Sequence, residues 1–181
     1  NDRKLKADWY AAHYDHAATN AYHTEYTVTA SGVTLHTHVG IAAICVQKFL
    51  DLDVTWTVAN NGSVDLALHA QRNTVFPELP RFGLRLFLPQ EMSQVNYYGM
   101  GPMECYRDKH HAASHSSYTA TVWQLHEDYI RPQENGSHFD CDYVMLAGDA
   151  VRLTAVGTQP FSFNASHYTQ EELTRKAHNY E

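Results

Sequence analysis

Two stretches of this chain carry side chains whose types and spacing could do chemistry. The first runs Tyr97-Tyr98-Gly99-Met100-Gly101-Pro102-Met103-Glu104-Cys105-Tyr106-Arg107-Asp108-Lys109 and sets a carboxylate among aromatic rings. Gly99, Gly101 and Pro102 are expected to break a β ladder and to shape a loop. The second runs Tyr129-Ile130-Arg131-Pro132-Gln133-Glu134-Asn135-Gly136. There Pro132 pushes Arg131 toward an extended backbone, and Asn135-Gly136 is a turn signal that presents Gln133 and Glu134 near a chain reversal. Flat rings beside carboxylates, amides and guanidinium groups suit a sugar, which offers apolar C–H faces and a rim of hydroxyls. The same residues also suit a plain domain interface. The candidate sugar contacts are Arg81, Tyr97, Glu104, Tyr106, Arg131 and Glu134, with Tyr97, Tyr98 and Tyr106 as stacking rings in loops.

Each chemical reading stands beside a structural one. A retaining glycosidase needs two carboxyl groups about 5 to 5.5 Å apart, one nucleophilic and one protonated. Glu104 and Glu134 are the pair set in comparable loops, and the competing reading makes them loop carboxylates anchored by Arg107 or Arg131. A sugar epimerase needs an acid and a base across the ring, and the many histidines, His138 among them, offer candidates. For a histidine on an outward strand face, however, solvation is the default. His36-Thr37-His38 puts two imidazoles on one strand face, half of a zinc site, with no third ligand at a telling spacing. Arg81 is either a guanidinium for a sugar hydroxyl or a strand-end ion pair. Trp56 and Trp123 read as core residues on strand faces.

The elements that must position these groups are mostly strands. From Tyr22 the apolar period is two: Tyr22, Tyr26 and Val28, then Val33, Leu35 and Val39 after a Ser31-Gly32 turn. Ile41 to Lys48 reads as a buried strand. Leu50, Leu52, Val54, Trp56 and Val58 share one face opposite Asp51, Asp53, Thr55 and Thr57, and Asn60-Asn61-Gly62-Ser63 turns the chain into Val64, Leu66 and Leu68 as a hairpin. Further strands are expected over Leu84 to Leu88, Gln94 to Tyr98, Thr119 to Leu125, Phe139 to Leu146 and Val151 to Val156. Trp9, Tyr10 and His13 suggest a short helix near the start. Thr169 with Glu172 has capping-box spacing for a second helix through Lys176. The expected fold is all-β, a large antiparallel β-sandwich with one or two short helices, in a single domain spanning 1–181.

Composition excludes several classes. The chain has 181 residues, a formal net charge of -7 and a pI near 6.0, with no basic stripe, so nucleic acid is not an expected partner. The longest apolar run, Ile41 to Val46, is too short for a membrane span, and no signal peptide opens the chain, so a soluble, cytoplasmic protein is expected. The three cysteines, Cys45, Cys105 and Cys141, form no C-x-x-C pair and read as reduced thiols. Asn61-Gly62-Ser63, Asn135-Gly136-Ser137 and Asn164-Ala165-Ser166 read as turns rather than glycosylation sites.

The run Gly99 to Lys109 resembles the G-x-G-P-x-E-x-Y-x-D-R signature of bacterial β-galactosidases of glycoside hydrolase family two. Tyr129 to Gly136 resembles their Y-x-x-P-Q-E-N-G segment, Leu79-Pro80-Arg81-Phe82-Gly83 their L-P-R-x-G stretch, and Asn1-Asp2-Arg3 the tail of their A-P-T-D-N-D-R-G motif. Lys109 stands where the family usually has Arg, and Lys4 where it has Gly. The resemblance implies the C-terminal, small-chain domain, with a fold similar to galactose mutarotase. It places the catalytic carboxylates in a TIM-type barrel outside these residues, so no catalytic residue is expected here. It also implies partners in the remaining domains or large subunit, a galactoside, an oligomeric parent, and a parent requirement for Mg²⁺ or Na⁺ that this segment does not serve. A fragment cut at both ends is expected, since the chain opens inside one family motif and stops before a Trp- and Gly-rich segment. A stand-alone carbohydrate-binding module and an aldose epimerase are the competing functions.

Overall fold

The computed structural model describes residues 4–180, so the reading of Asn1-Asp2-Arg3 lies outside the described residues. The chain divides into two compact units, Asn1–Leu84 and Arg85–Glu181. Each holds one four-stranded antiparallel sheet, and the only helices among the described residues are short, so the all-β, two-sheet composition expected from the alternating pattern holds. No helix among them is long and apolar enough to cross a membrane.

In the first unit, helix α1 (Leu5–Ala11) and a 3-10 turn (Tyr14–His16) precede β1 (Ala18–Thr29), β2 (Gly32–Ala42), β3 (Leu50–Ala59) and β4 (Val64–Arg72). The strands pair in chain order as successive hairpins. Chain reversal after β3 uses Gly62 at φ +88, while the Asn61 side-chain oxygen accepts from the Ser63 amide at 2.9 Å, the turn chemistry that those residue types favour. In register, Leu35 faces Trp56 and Trp56 faces Leu66, so the apolar residues of all four strands share one face. The core lies at one end of that face: Val39, Phe49, Leu50 and Leu52 are buried, with Tyr14, Phe76 and Leu79 packed against them.

Two expected strands are absent. Strand β2 ends at Ala42, and the rest of the expected Ile41–Lys48 strand is a turn with Cys45 at φ +65 and Ile44 87% exposed. An apolar run alone does not separate a strand from a turn that happens to carry aliphatic residues. Residues Leu84 to Leu88 form no ladder either, and Phe87 is 80% exposed. Alternation there is real, but a strand also needs a neighbour to bond with.

In the second unit, β5 (Gln94–Gly101), β6 (Ser114–Thr121), β7 (Ser137–Ala147) and β8 (Arg152–Asn164) are ordered β6-β5-β7-β8, followed by α2 (Gln170–Arg175). Helix α2 carries the expected capping box: the Thr169 hydroxyl accepts from the Glu172 amide at 3.2 Å, and the Glu172 carboxylate accepts from the Thr169 amide at 2.7 Å. The core gathers Val95, Tyr97, Val122, Leu125, Cys141, Val144 and Phe163.

The glycines of the first motif do not break the ladder, contrary to expectation: β5 pairs with β6 through Gly99–Ser116 to Gly101–Ser114. Their purpose is close approach. A Cβ on Gly99 would lie 2.3 Å from the Cys141 Sγ and 2.9 Å from its Cα, inside any allowed contact. Gly99→Val is therefore expected to force β5 and β7 apart and to destabilise the second unit by about 3 kcal/mol, at or beyond the upper end of ordinary overpacking. Denaturant unfolding checks it.

Candidate functional site: a carboxylate that pins two loops

Glu104 sits just beyond β5, and its carboxylate is the meeting point of both motif stretches. Cys105 fixes the first loop from behind: its amide donates to the Ser137 carbonyl at 2.7 Å, and its buried sulfur accepts from the Phe139 amide at 3.3 Å. Tyr106 and Lys109 exchange two backbone hydrogen bonds of 2.9 Å, closing a tight turn over Arg107-Asp108. The second loop folds on Asn135, whose side-chain oxygen accepts from the Glu127 amide at 3.0 Å and whose NH2 donates to the Gln133 carbonyl at 3.0 Å. Gly136 follows at φ +71, where a Cβ would lie 2.4 Å from the Leu125 carbonyl oxygen, so both conformation and space demand glycine.

That turn aims the Gly136 amide at Glu104 Oε2, 2.9 Å away. The Tyr106 hydroxyl donates to the same oxygen at 3.3 Å, the Tyr129 hydroxyl makes a short bond to Oε1, and Lys109 Nζ reaches Oε1 at 3.4 Å. The Glu104 side chain is only 7% exposed. Burial alone would raise its pKa, but the hydrogen bonds from Tyr129, the Gly136 amide and Lys109 outweigh it and hold the carboxyl below the ordinary glutamate value. The same contact with Glu104, followed by burial, pushes the Tyr129 phenol up to about 12. A group so held is unsuited to be the glycosidase acid, which must keep its proton, and four donors already occupy the oxygens a nucleophile would need free. Glu104, Tyr106, Lys109, Tyr129, Gln133 and Glu134 line an open hollow of about 370 Å³.

Among the expected sugar contacts, Glu104, Tyr106 and Glu134 thus come together at one hollow. Arg131, on the same loop, is exposed and outside its lining. Arg81 is exposed and belongs to the first unit. Tyr97 corrects the reading of a loop platform: it lies in β5, wholly buried, its ring 5.0 Å from Phe163 and 4.6 Å from His138. Tyr98 also lies on β5 rather than in a loop, with its ring edge against His115. The anchors of Glu104 are tyrosines, a backbone amide and a lysine rather than Arg107 or Arg131. Lys109, itself 69% exposed, gives one long contact where a guanidinium could grip both oxygens.

Sequence reasoning missed Tyr129 as a partner of Glu104, although it heads the second motif. His138, one of the histidines offered as an acid or base, is 1% exposed and stacked on Phe163 at 5.2 Å. Its Nδ1 lies 3.0 Å from the Tyr97 hydroxyl and 3.2 Å from the Met100 carbonyl, while Nε2 is buried without a partner. Two register shifts in the β7–β8 pairing, with Asp140 at φ +56, interrupt the alternation, so that Cys141 is buried as well as His138 and Val144. Trp123 is likewise corrected: it sits in the turn after β6, 59% exposed, stacked on His126. His36 and His38 face acids instead of each other, at 3.9 Å to Glu25 and 3.0 Å to Asp51. Among the described residues no group of three His, Cys, Asp or Glu side chains is arranged to hold a metal ion, and the donor-saturated Glu104 does not fit Mg²⁺ or Na⁺.

Burial holds the His138 pKa below its ordinary value, against smaller upward pulls from Met100 and Glu104. The unfolded chain therefore takes up a proton that the folded one refuses, so stability is full above about pH 6.5 and is lost as pH falls below it. Glu104 has the depressed pKa of a paired carboxyl, so its contribution stays intact down to about pH 4.5 and is lost below that. Melting temperature against pH should show both declines, and His138→Phe should shrink the first one selectively.

The whole chain, residues 1–181, matches the family described as beta galactosidase small chain, and it belongs to that family. Two relatives make the likeness specific. It is 42% identical over its full length to a beta-galactosidase of Actinobacillus pleuropneumoniae, and 34% identical over 98% of its length to one of Staphylococcus xylosus. In both cases it spans only 18% of the relative's length.

Proposed function

We propose that this chain is a non-catalytic part of a β-galactosidase. In the whole, cytoplasmic, oligomeric enzyme, terminal β-galactosides such as lactose are hydrolysed with retention through a covalent intermediate formed on carboxylates outside these residues. This part braces the remaining domains or large subunit, and the hollow at Tyr106, Gln133 and Glu134 forms part of the rim of the galactoside pocket. One observation carries the reading. The Glu104 carboxylate, where the two motif loops meet, is 7% exposed and committed to four donors, which supports a role in holding the loops rather than in the reaction.

Assaying the purified 181-residue chain and its full-length parent with a chromogenic aryl β-galactoside tests this. The chain alone is expected to release no phenol above buffer while the parent turns over. Turnover by the chain alone, or none by the parent, contradicts the proposal. The same chain should leave the mutarotation of α-galactose at its buffer rate by polarimetry.

A further inference from the structure

The tripeptide Asn-Gly-Ser occurs twice, at Asn61-Gly62-Ser63 and at Asn135-Gly136-Ser137, so structure decides how differently the two behave. An asparagine before glycine carries a latent reaction. The glycine amide nitrogen attacks the side-chain carbonyl carbon, and no side chain on the second residue obstructs the closing ring. At Asn135 every group that this needs is held. Its NH2, the leaving group, donates to the Gln133 carbonyl at 3.0 Å, its side-chain oxygen accepts from the Glu127 amide at 3.0 Å, and the Gly136 amide, the nucleophile, donates to the Glu104 carboxylate at 2.9 Å. Asn135 is 5% exposed, and even a Cβ on Gly136 would lie 2.4 Å from the Leu125 carbonyl oxygen, so the ring has no room to close.

Asn61 differs at each point. Asn61, Gly62 and Ser63 are all exposed at the β3–β4 turn, and nothing lies within 4 Å of a Cβ placed on Gly62. The Ser63 amide and hydroxyl each donate to Asn61 Oδ1 at 2.9 Å, two donors on the oxygen where negative charge develops as the carbonyl is attacked. The opposing contact is the hydrogen bond from the Gly62 amide to the Ala59 carbonyl at 3.0 Å, at a hairpin tip that opens at little cost, whereas Gly136 is held by a buried, charged carboxylate. We infer that Asn61 is a site of spontaneous covalent modification, deamidating through a succinimide formed with Gly62. The bond from Gly62 N to Asn61 Cγ forms as the Cγ–Nδ2 bond breaks, and the Gly62 amide proton leaves with the ammonia. Water then opens the ring, giving aspartate when the N–Cγ bond is cleaved and isoaspartate when the bond from N to the main-chain carbonyl carbon is cleaved. Either product adds a negative charge to the turn. Isoaspartate also lengthens the main chain by one carbon next to Asn60, whose amide and NH2 tie this turn to the Ser31 and Ala30 carbonyls at 3.0 and 2.8 Å, so it loosens the β1–β2 turn as well.

The test is to age the full-length parent in mildly alkaline buffer made with heavy-oxygen water and to map its peptides by mass spectrometry. The expected result is that the peptide carrying Asn61 takes up one heavy oxygen and separates into aspartyl and isoaspartyl forms, at least about tenfold faster than the peptide carrying Asn135. In denaturant the two peptides, which share the tripeptide, should react at similar rates. Equal rates in the native protein, no heavy oxygen at Asn61, or a tenfold difference that persists in denaturant would each overturn the inference.

Discussion

Replacing Tyr97 with alanine will destabilise the second unit by about 3 to 5 kcal/mol, the range for deleting a fully buried aromatic ring. Its ring is wholly buried and packs against Tyr118, His138 and Phe163 at 5.3, 4.6 and 5.0 Å. A Cβ on Gly101 would lie 2.2 Å from the tyrosine hydroxyl, so the strand beside the ring has room only for glycine. The deletion also removes the hydroxyl beside His138 Nδ1, leaving that imidazole more poorly satisfied in the core. Tyr97→Phe keeps the ring and loses only the hydrogen bond, so about 1 kcal/mol is expected. Urea unfolding of the three proteins gives the order wild type, Tyr97→Phe, Tyr97→Ala. Were Tyr97 a sugar platform, the alanine variant would lose ligand affinity at nearly unchanged stability.

Glu104→Ala is expected to loosen the site itself. It strands the Gly136 amide and the Tyr106 and Tyr129 hydroxyls, all of which now reach a charged acceptor, and the loss is about 2 to 4 kcal/mol. The effect should be local before it is global. The Gly136 amide, protected by Glu104 alone among the contacts of that turn, should exchange with solvent faster than amides of β5 such as Val95. Hydrogen exchange read residue by residue checks this, and equal exchange in variant and wild type would contradict the pinning role.

The legibility of this fold in its sequence varied for physical reasons. Strands β3 and β4 were readable because one face is apolar, the other polar, and Asn61-Gly62 supplies a turn of defined chemistry. The second helix was readable from the Thr169 and Glu172 spacing, since a capping box is local. Ile41–Lys48 misled because apolar content does not encode direction of travel, and Leu84–Leu88 misled because alternation does not provide a pairing partner. In the site, residue type singled out the motif loops, and three of the candidate residues, Glu104, Tyr106 and Glu134, line one hollow. What could not be read was which groups satisfy Glu104, because Tyr129 and the Gly136 amide arrive from 25 and 32 residues away. Tyr97 was misplaced for a related reason: the ladder continues through Gly99 and Gly101 instead of opening into a loop.

The proposed function makes Glu104 an architectural anion and puts the reacting carboxyl groups elsewhere. The most direct measurement is kcat of the full-length parent carrying Glu104→Gln, expressed per folded molecule. An amide keeps an acceptor for Gly136 or the tyrosines but can serve neither as nucleophile nor as acid, so kcat is predicted to stay within about tenfold of wild type. A fall of more than about a thousandfold, with the folded fraction unchanged, would show Glu104 to be a reacting group and would contradict the account.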